Sequence, residues 1–207
     1  MKLPRFYPIL DRGLLERRQI SVVAAAQEML AAGVQILQFR HKGHLTRAVW
    51  EEMQRVAELC RAAEIPYVVN DRADLAKLLN ADLHVGQDDL PPAAARALIG
   101  PGLSLGFSTH NEAQLRAAAS EPVDYLALGP IFGTASKENP DPVVGVEELR
   151  RLRPLAKLPL VAIGGITRAN AGDVLAAGAD SVAVIGDVSP EDAKIGERVR
   201  EWLRITA

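Results

Sequence analysis

The stretch Gly129-Pro130-Ile131-Phe132-Gly133-Thr134-Ala135-Ser136-Lys137 brings together glycines, hydroxyls and a lysine. It offers backbone N–H groups, O–H donors and one mobile positive charge, a set suited to a phosphate or pyrophosphate. An apolar run, Asp124-Tyr125-Leu126-Ala127-Leu128, precedes it, and Val146-Glu147-Glu148-Leu149-Arg150 after it reads as a helix start. A strand-to-helix loop of roughly 15 residues is uncommon in a compact domain unless it has work to do. The competing reading is a surface loop with a solvated lysine, because a Gly/Thr/Lys loop taken alone is a weak signal.

Five further clusters bear on that choice. In Gln38-Phe39-Arg40-His41-Lys42, positions 38, 40 and 42 share one side of an extended segment, giving a donor-rich, doubly positive surface for a pyrophosphate and a polar ring. Asn70-Asp71-Arg72 and His84-Val85-Gly86-Gln87-Asp88-Asp89 follow two other apolar runs. Asp71 and Asp89 are placed to share a hard divalent cation, since Mg2+ is usually held by one or two carboxylates, waters and substrate phosphate oxygens. The plainer role for Asp88 or Asp89 is to cap the helix opening at Pro91-Pro92, and one of them is expected to do so. Ser108-Thr109-His110 pairs hydroxyls with an imidazole, but the Gly-x-Ser-x-Gly elbow of a serine nucleophile is missing, and His110 is expected to orient its neighbours at a helix start. Gly164-Gly165-Ile166-Thr167 and Val184-Ile185-Gly186-Asp187 are glycine turns whose bare N–H groups suit a second phosphate.

These clusters need a scaffold that delivers them to one place. Strand candidates span 6–10, 35–39, 67–69, 83–85, 104–106, 125–128, 160–163 and 181–185. Helix candidates span 21–32, 47–63, 73–79, 92–98, 112–119, 146–155, 169–176 and 190–204. Thr46 and Asn111 stand where N-caps belong, and Gly33 and Gly178 stand just past helix ends, where a left-handed residue is wanted. The strands are short and nearly apolar throughout, as in a parallel sheet buried on both faces. Eight β-then-α units in one chain of 207 residues, with no linker or composition shift, predict a single (β/α)8 TIM barrel over residues 1–207. An open doubly wound sheet usually opens on a glycine-rich first turn, where this chain has Asp11-Arg12-Gly13. In a barrel the active site lies at the C-terminal ends of the strands, which is where every cluster falls.

Composition sets wider bounds. Net charge of −2, with 24% charged and 48% hydrophobic residues, gives no reason to expect nucleic acid or an anionic membrane as partner. Cys60, the single cysteine, falls inside a helix candidate and is expected to be a packed thiol. The N-terminal residues lack the apolar segment of a secretion signal, and no run approaches the ~20 apolar residues of a membrane span. A cytoplasmic location is expected, and a homo-oligomer is compatible with the sequence, which does not fix the state.

In the order quoted, the clusters at 38–42, 70–72, 84–89, 108–110, 129–137 and 164–166 resemble thiamine-phosphate synthases along nearly the whole chain. The resemblance implies a (β/α)8 enzyme that joins two phosphorylated heterocycles, 4-amino-2-methyl-5-pyrimidinylmethyl diphosphate and 4-methyl-5-(2-phosphoethyl)thiazole, into thiamine phosphate and pyrophosphate. It implies that Gln38, Arg40, Lys42 and Asn70 hold the pyrimidine diphosphate and that Asp71 and Asp89 bind Mg2+ as cofactor. Ser108 and Lys137 would contact the diphosphate, and with Arg40 and Lys42 would carry the catalysis. Thr134 and Ser136 would lie near the thiazole, while Gly165 and the strand-eight turn at Ile185 and Gly186 would receive its phosphate. Pyrophosphate leaves first, the pyrimidinylmethyl cation is stabilised by its own ring, and the thiazole nitrogen captures it, so no protein nucleophile is needed and none is evident.

The chain departs from the family twice. Gly186-Asp187 stands where a serine is usual, which keeps a backbone donor, loses a hydroxyl and sets a carboxylate where it would repel a phosphate. Ser136 stands where threonine is common and retains the O–H. Two rival readings are a thiazole tautomerase-like barrel using His110 as base and a non-catalytic barrel binding thiamine precursors. The first has no use for Gln38, Arg40, Lys42, Asp71 or Asp89.

Overall fold

A computed structural model describes residues 3–134, 141–192 and 194–207. Among them, parallel strands close in sequence order into a β1–β8 barrel, with helices outside, which is the predicted (β/α)8 architecture. The strands are β1 (Phe6–Asp11), β2 (Leu37–Arg40), β3 (Tyr67–Asn70), β4 (Asp82–Val85), β5 (Leu105–Thr109), β6 (Tyr125–Leu128), β7 (Leu160–Ile163) and β8 (Ser181–Val184). The α-helices are α1 (Arg12–Arg17), α2 (Val22–Ala32), α3 (Arg47–Ala62), α4 (Ala73–Leu79), α5 (Pro92–Ile99), α6 (Glu112–Ala117), α7 (Val146–Leu152), α8 (Ala171–Ala176) and α9 (Ile195–Ile205).

Strand alternation divides the apolar residues into two cores. Phe6, Leu10, Leu37, Phe39, Val69, Leu83, Leu105, Leu126, Leu160 and Val182 point outward and pack under the helices. Tyr7, Ile9, Val68, Tyr125, Ala127, Val161 and Ala183 point inward and fill the barrel. On α3 the buried residues Val49, Met53, Val56, Ala57 and Cys60 recur at helical spacing, so one face seats on the sheet. Val49, Met53 and Val56 each contribute roughly 1.5–3 kcal/mol by leaving water. Burial pushes the Cys60 thiol up to about 12, which makes it an inert packing group as expected.

The capping expectations hold at Thr46, whose hydroxyl accepts from Val49 N–H at 3.3 Å, and at Asn111, which accepts from Gln114 N–H at 3.0 Å. Gly33 and Gly178 are left-handed. Several boundaries are corrected. The short helix α1 was not anticipated; Asp11 caps it by accepting from Leu14 N–H at 2.8 Å. Strand β5 runs on through Ser108 and Thr109, and β8 stops before Ile185. Residues 186–188 form a 3₁₀ turn, and α9 begins only at Ile195. Neither Asp88 nor Asp89 caps α5, whose N-cap is Pro91 with no side-chain bond; Asp89 instead accepts from Gly86 N–H at 2.7 Å and fastens its own turn.

Candidate active site

The same alternation that buries Tyr7 and Val68 aims Gln38, Arg40, Asn70, His84 and Ser108 into the C-terminal mouth of the barrel. There they line a cavity of about 670 Å3 together with Lys42, Asp71, Asp89, Thr134, Gly165, Ile185 and Gly186. Every described residue that the sequence analysis gave a catalytic, substrate-binding or metal-binding role therefore lines one space. Ser136 and Lys137 lie outside the described residues.

One side of the cavity is ionic. Arg40 forms an ion pair with Asp11, the residue opposite it in the β1–β2 register, and Lys42 Nζ donates to Asp71 Oδ2 at 2.5 Å. Asp71 sits at φ +65°, a left-handed conformation that Asp tolerates better than most residues, and its N–H donates to His84 O at 2.8 Å. Burial, reinforced by hydrogen bonding to Asp89 and opposed by Lys42, pushes the Asp71 carboxyl up to about 6. Two carboxyl groups from neighbouring strands thus crowd one point of the rim. Beside them the buried Asn70 Nδ2 has no hydrogen-bond partner among the described residues. A buried donor left without a partner costs about 1–3 kcal/mol, and a ligand oxygen would satisfy it.

The opposite side is built from backbone. Gly164 and Gly165 take φ +98° and +63°, and a Cβ on them would fall 2.5 Å from Pro130 Cβ and 2.5 Å from Gly133 O. The turn after β7 is therefore locked against the loop after β6, with Ile131 N–H donating to Ile163 O at 2.8 Å and Phe132 N–H to Gly164 O at 3.0 Å. Gly186, by contrast, faces open space. The carboxylate of Asp187, expected to repel a phosphate here, is engaged elsewhere. Its Oδ2 accepts from Arg168 Nε at 3.0 Å and Trp202 Nε1 at 2.9 Å, and its Oδ1 pairs with Arg198 at 3.4 Å. Two guanidinium groups neutralise the charge that the sequence alone leaves facing the ligand.

His110 orients its neighbours, as read from its position: its Nδ1 lies 2.6 Å from Gly129 O and its N–H donates to Gln114 Oε1 at 2.7 Å. Tyr7 and Tyr125, in the floor of the cavity, were not legible as site residues in the sequence. Gln38, Tyr7, Tyr125, His84 and Ser108 are hydrogen-bonded in series there, with Gln38 only 3% exposed. The signal that could have found them is strand parity, which places positions 7, 38, 84 and 125 inward; the two tyrosines pass instead for ordinary strand residues.

A closed parallel barrel whose mouth sets paired cations and carboxylates against bare glycine turns defines a TIM-barrel protein built to bind phosphorylated ligands. The sequence model of the thiamine monophosphate synthase family matches residues 6–188, and the chain belongs to that family. It is 47% identical over 210 residues to a thiamine-phosphate synthase of Koribacter versatilis, covering 99% of this chain and 97% of the relative. With the Chloroflexus aurantiacus thiamine-phosphate synthase it shares 43% identity over 189 residues, or 91% of this chain and 86% of that one. Among solved structures, a thiamine phosphate pyrophosphorylase from Pyrococcus furiosus superimposes with a TM-score of 0.84 at 31% identity, covering 98% of this chain and 95% of that one.

Proposed function

We propose that the protein is the transferase that joins 4-amino-2-methyl-5-pyrimidinylmethyl diphosphate to 4-methyl-5-(2-phosphoethyl)thiazole, giving thiamine phosphate and pyrophosphate. The observation that carries this reading is the common cavity, in which Arg40, Lys42, Asp71 and Asp89 stand across from the glycine turns after β7 and β8. In this reading Gln38, Arg40, Lys42 and Asn70 hold the pyrimidine diphosphate, with Ser108 and Lys137 on its phosphate oxygens. Thr134 and Ser136 meet the thiazole, and Gly165, Ile185 and Gly186 give backbone donors to its phosphate.

The C–O bond of the diphosphate ester breaks with its electron pair leaving on pyrophosphate, and the thiazole nitrogen lone pair forms the new C–N bond. Arg40 and Lys42 stabilise the charge that develops on the leaving group, and the cavity holds the thiazole in line for capture. The donor set fits Mg2+: burial, and then the neighbouring Asp89, raise the Asp71 pKa, and these two carboxyl groups would hold the cation, whose charge would favour their ionised forms. When bound there, Mg2+ supplies positive charge to the diphosphate oxygens. Substrates carrying phosphate charges do not cross membranes unaided, so the reading includes a cytoplasmic location. A proton-transfer reading would use His110 and leave the Arg40, Lys42, Asp71 and Asp89 side of the cavity without a task.

The test is pyrophosphate release from the two substrates, with and without Mg2+. Turnover is expected only with both substrates and the cation, and Asp71→Ala and Lys137→Ala are each expected to lower it by roughly 10²-fold or more. Unchanged turnover in both variants would reject these assignments.

A further inference from the structure

Side chains from β2, β1, β6, β4 and β5 form a hydrogen-bonded file beneath the cavity, and its bonds have a direction. Gln38 Nε2 donates to Tyr7 Oη at 3.0 Å, and the Tyr7 and Tyr125 hydroxyls are 3.0 Å apart. Tyr125 Oη lies 3.1 Å from His84 Nδ1, and His84 Nε2 lies 2.8 Å from Ser108 Oγ. Gly106 makes room for the two rings: a Cβ there would fall 2.1 Å from Tyr125 Cζ and 2.5 Å from His84 Nδ1.

An amide nitrogen can only donate, so Tyr7 accepts from Gln38; its own buried O–H would be left unpaired unless it donates to Tyr125, its other hydrogen-bond partner among the described residues. Tyr125, accepting from Tyr7, directs its proton to His84 Nδ1. A ring nitrogen that accepts carries no proton, so the His84 ring, accepting at Nδ1, is neutral and has a single N–H. With Nδ1 accepting, that N–H is on Nε2 and points at Ser108 Oγ. The Ser108 hydroxyl hydrogen is then left for the cavity.

We infer that Tyr125 and His84 are positioning residues that hold Ser108 as a hydrogen-bond donor toward an anionic oxygen of the ligand, in a direction set by which end of the Gln38 amide faces Tyr7. If the amide were turned over, every bond in the file would reverse, and Ser108 would spend its proton on His84 and meet the ligand with lone pairs alone. A diphosphate oxygen is attracted by the first arrangement and repelled by the second. The inference depends on the proposed reaction only for the identity of that acceptor; the direction of the file belongs to the chain itself.

The test reads the His84 ring directly. In 15N-labelled wild type, with the signal assigned by its loss in His84→Asn, the ring is expected as the neutral Nε2–H tautomer. Tyr125→Phe removes the donor to Nδ1, so the Nδ1 signal is expected to move toward that of an unbonded imine nitrogen. Tyr7→Phe removes an equally buried hydroxyl but leaves Tyr125 donating, so the bonded Nδ1 signal is expected to persist; a merely structural perturbation would not separate the two variants. For pyrophosphate release, Ser108→Ala and Tyr125→Phe are each expected to lower turnover roughly tenfold or more, and the double variant is expected to be no slower than Ser108→Ala. An Nδ1–H or imidazolium ring in wild type, or fully multiplicative kinetic losses, would overturn the inference. If wild type releases no pyrophosphate, the proposed reaction fails while the spectra still decide the direction of the file.

Discussion

Asp71 shows how much of the site's behaviour resides in one carboxyl group. In the fold it ionises at about 6, against the ordinary 3.8, chiefly because it is buried and then because Asp89 is beside it. A raised folded-state pKa means that the fold favours the protonated form, so this group's contribution to stability is complete below 3.8 and is lost as pH rises through about 6. In chelator, the wild-type thermal midpoint is expected to fall across that window relative to Asp71→Asn, which has nothing to titrate there; parallel curves would contradict the assigned cause. Residues of this kind were legible in the sequence because a charged side chain one or two positions past an apolar run has few structural uses. Others were not. The engagement of Asp187 depends on Arg168 and on α9, and the pairing of Arg40 with Asp11 depends on the β1–β2 register, neither of which local spacing specifies.

Among elements, the turn after β7 and the loop after β6 fold as one unit. Gly164→Ala would bring a Cβ within 2.5 Å of Pro130 Cβ at φ +98°. That substitution is expected to cost roughly 1–3 kcal/mol and to raise the KM for the thiazole phosphate. Gly186→Ala meets no atom within 4 Å and is expected to change stability by less than about 0.5 kcal/mol. Urea unfolding of the two variants checks the contrast, and equal losses would mean that the glycines do not differ as described. The count and order of strands were legible because each is a short apolar run closed by turn chemistry. The six-residue helix α1 was not, because so short a segment has no periodicity, and its cap Asp11 reads equally well as the end of a strand. Strand β5 was cut short for a related reason: its last residues, Ser108 and Thr109, are polar because they face the cavity or bond a neighbour, Thr109 Oγ1 donating to Ala127 O at 2.8 Å.

Across the whole molecule, α9 ties closure of the barrel to the site. Trp202 is fully buried, stacks on Phe6 of β1 with ring centroids 5.2 Å apart, and donates its indole N–H to Asp187 beside the cavity. Trp202→Ala is expected to cost about 3–5 kcal/mol and to lower Tm by roughly 6–20 °C. Trp202→Phe keeps a ring on Phe6 and is expected to lose about 1 kcal/mol with the bond to Asp187. Calorimetry of both variants separates the packing role from the polar one, and equal losses would count against that division.

The alternation of side chains along each strand also bears on how such a protein changes over evolutionary time. Alternate positions answer to different demands, one set packing under the surrounding helices and the other filling the barrel and, at its C-terminal mouth, lining the cavity. A lineage can therefore exchange the inward residues at the cavity ends of β2, β3 and β5, such as Gln38, Asn70 and Ser108, for a new substrate without disturbing the outward layer that seats the helices.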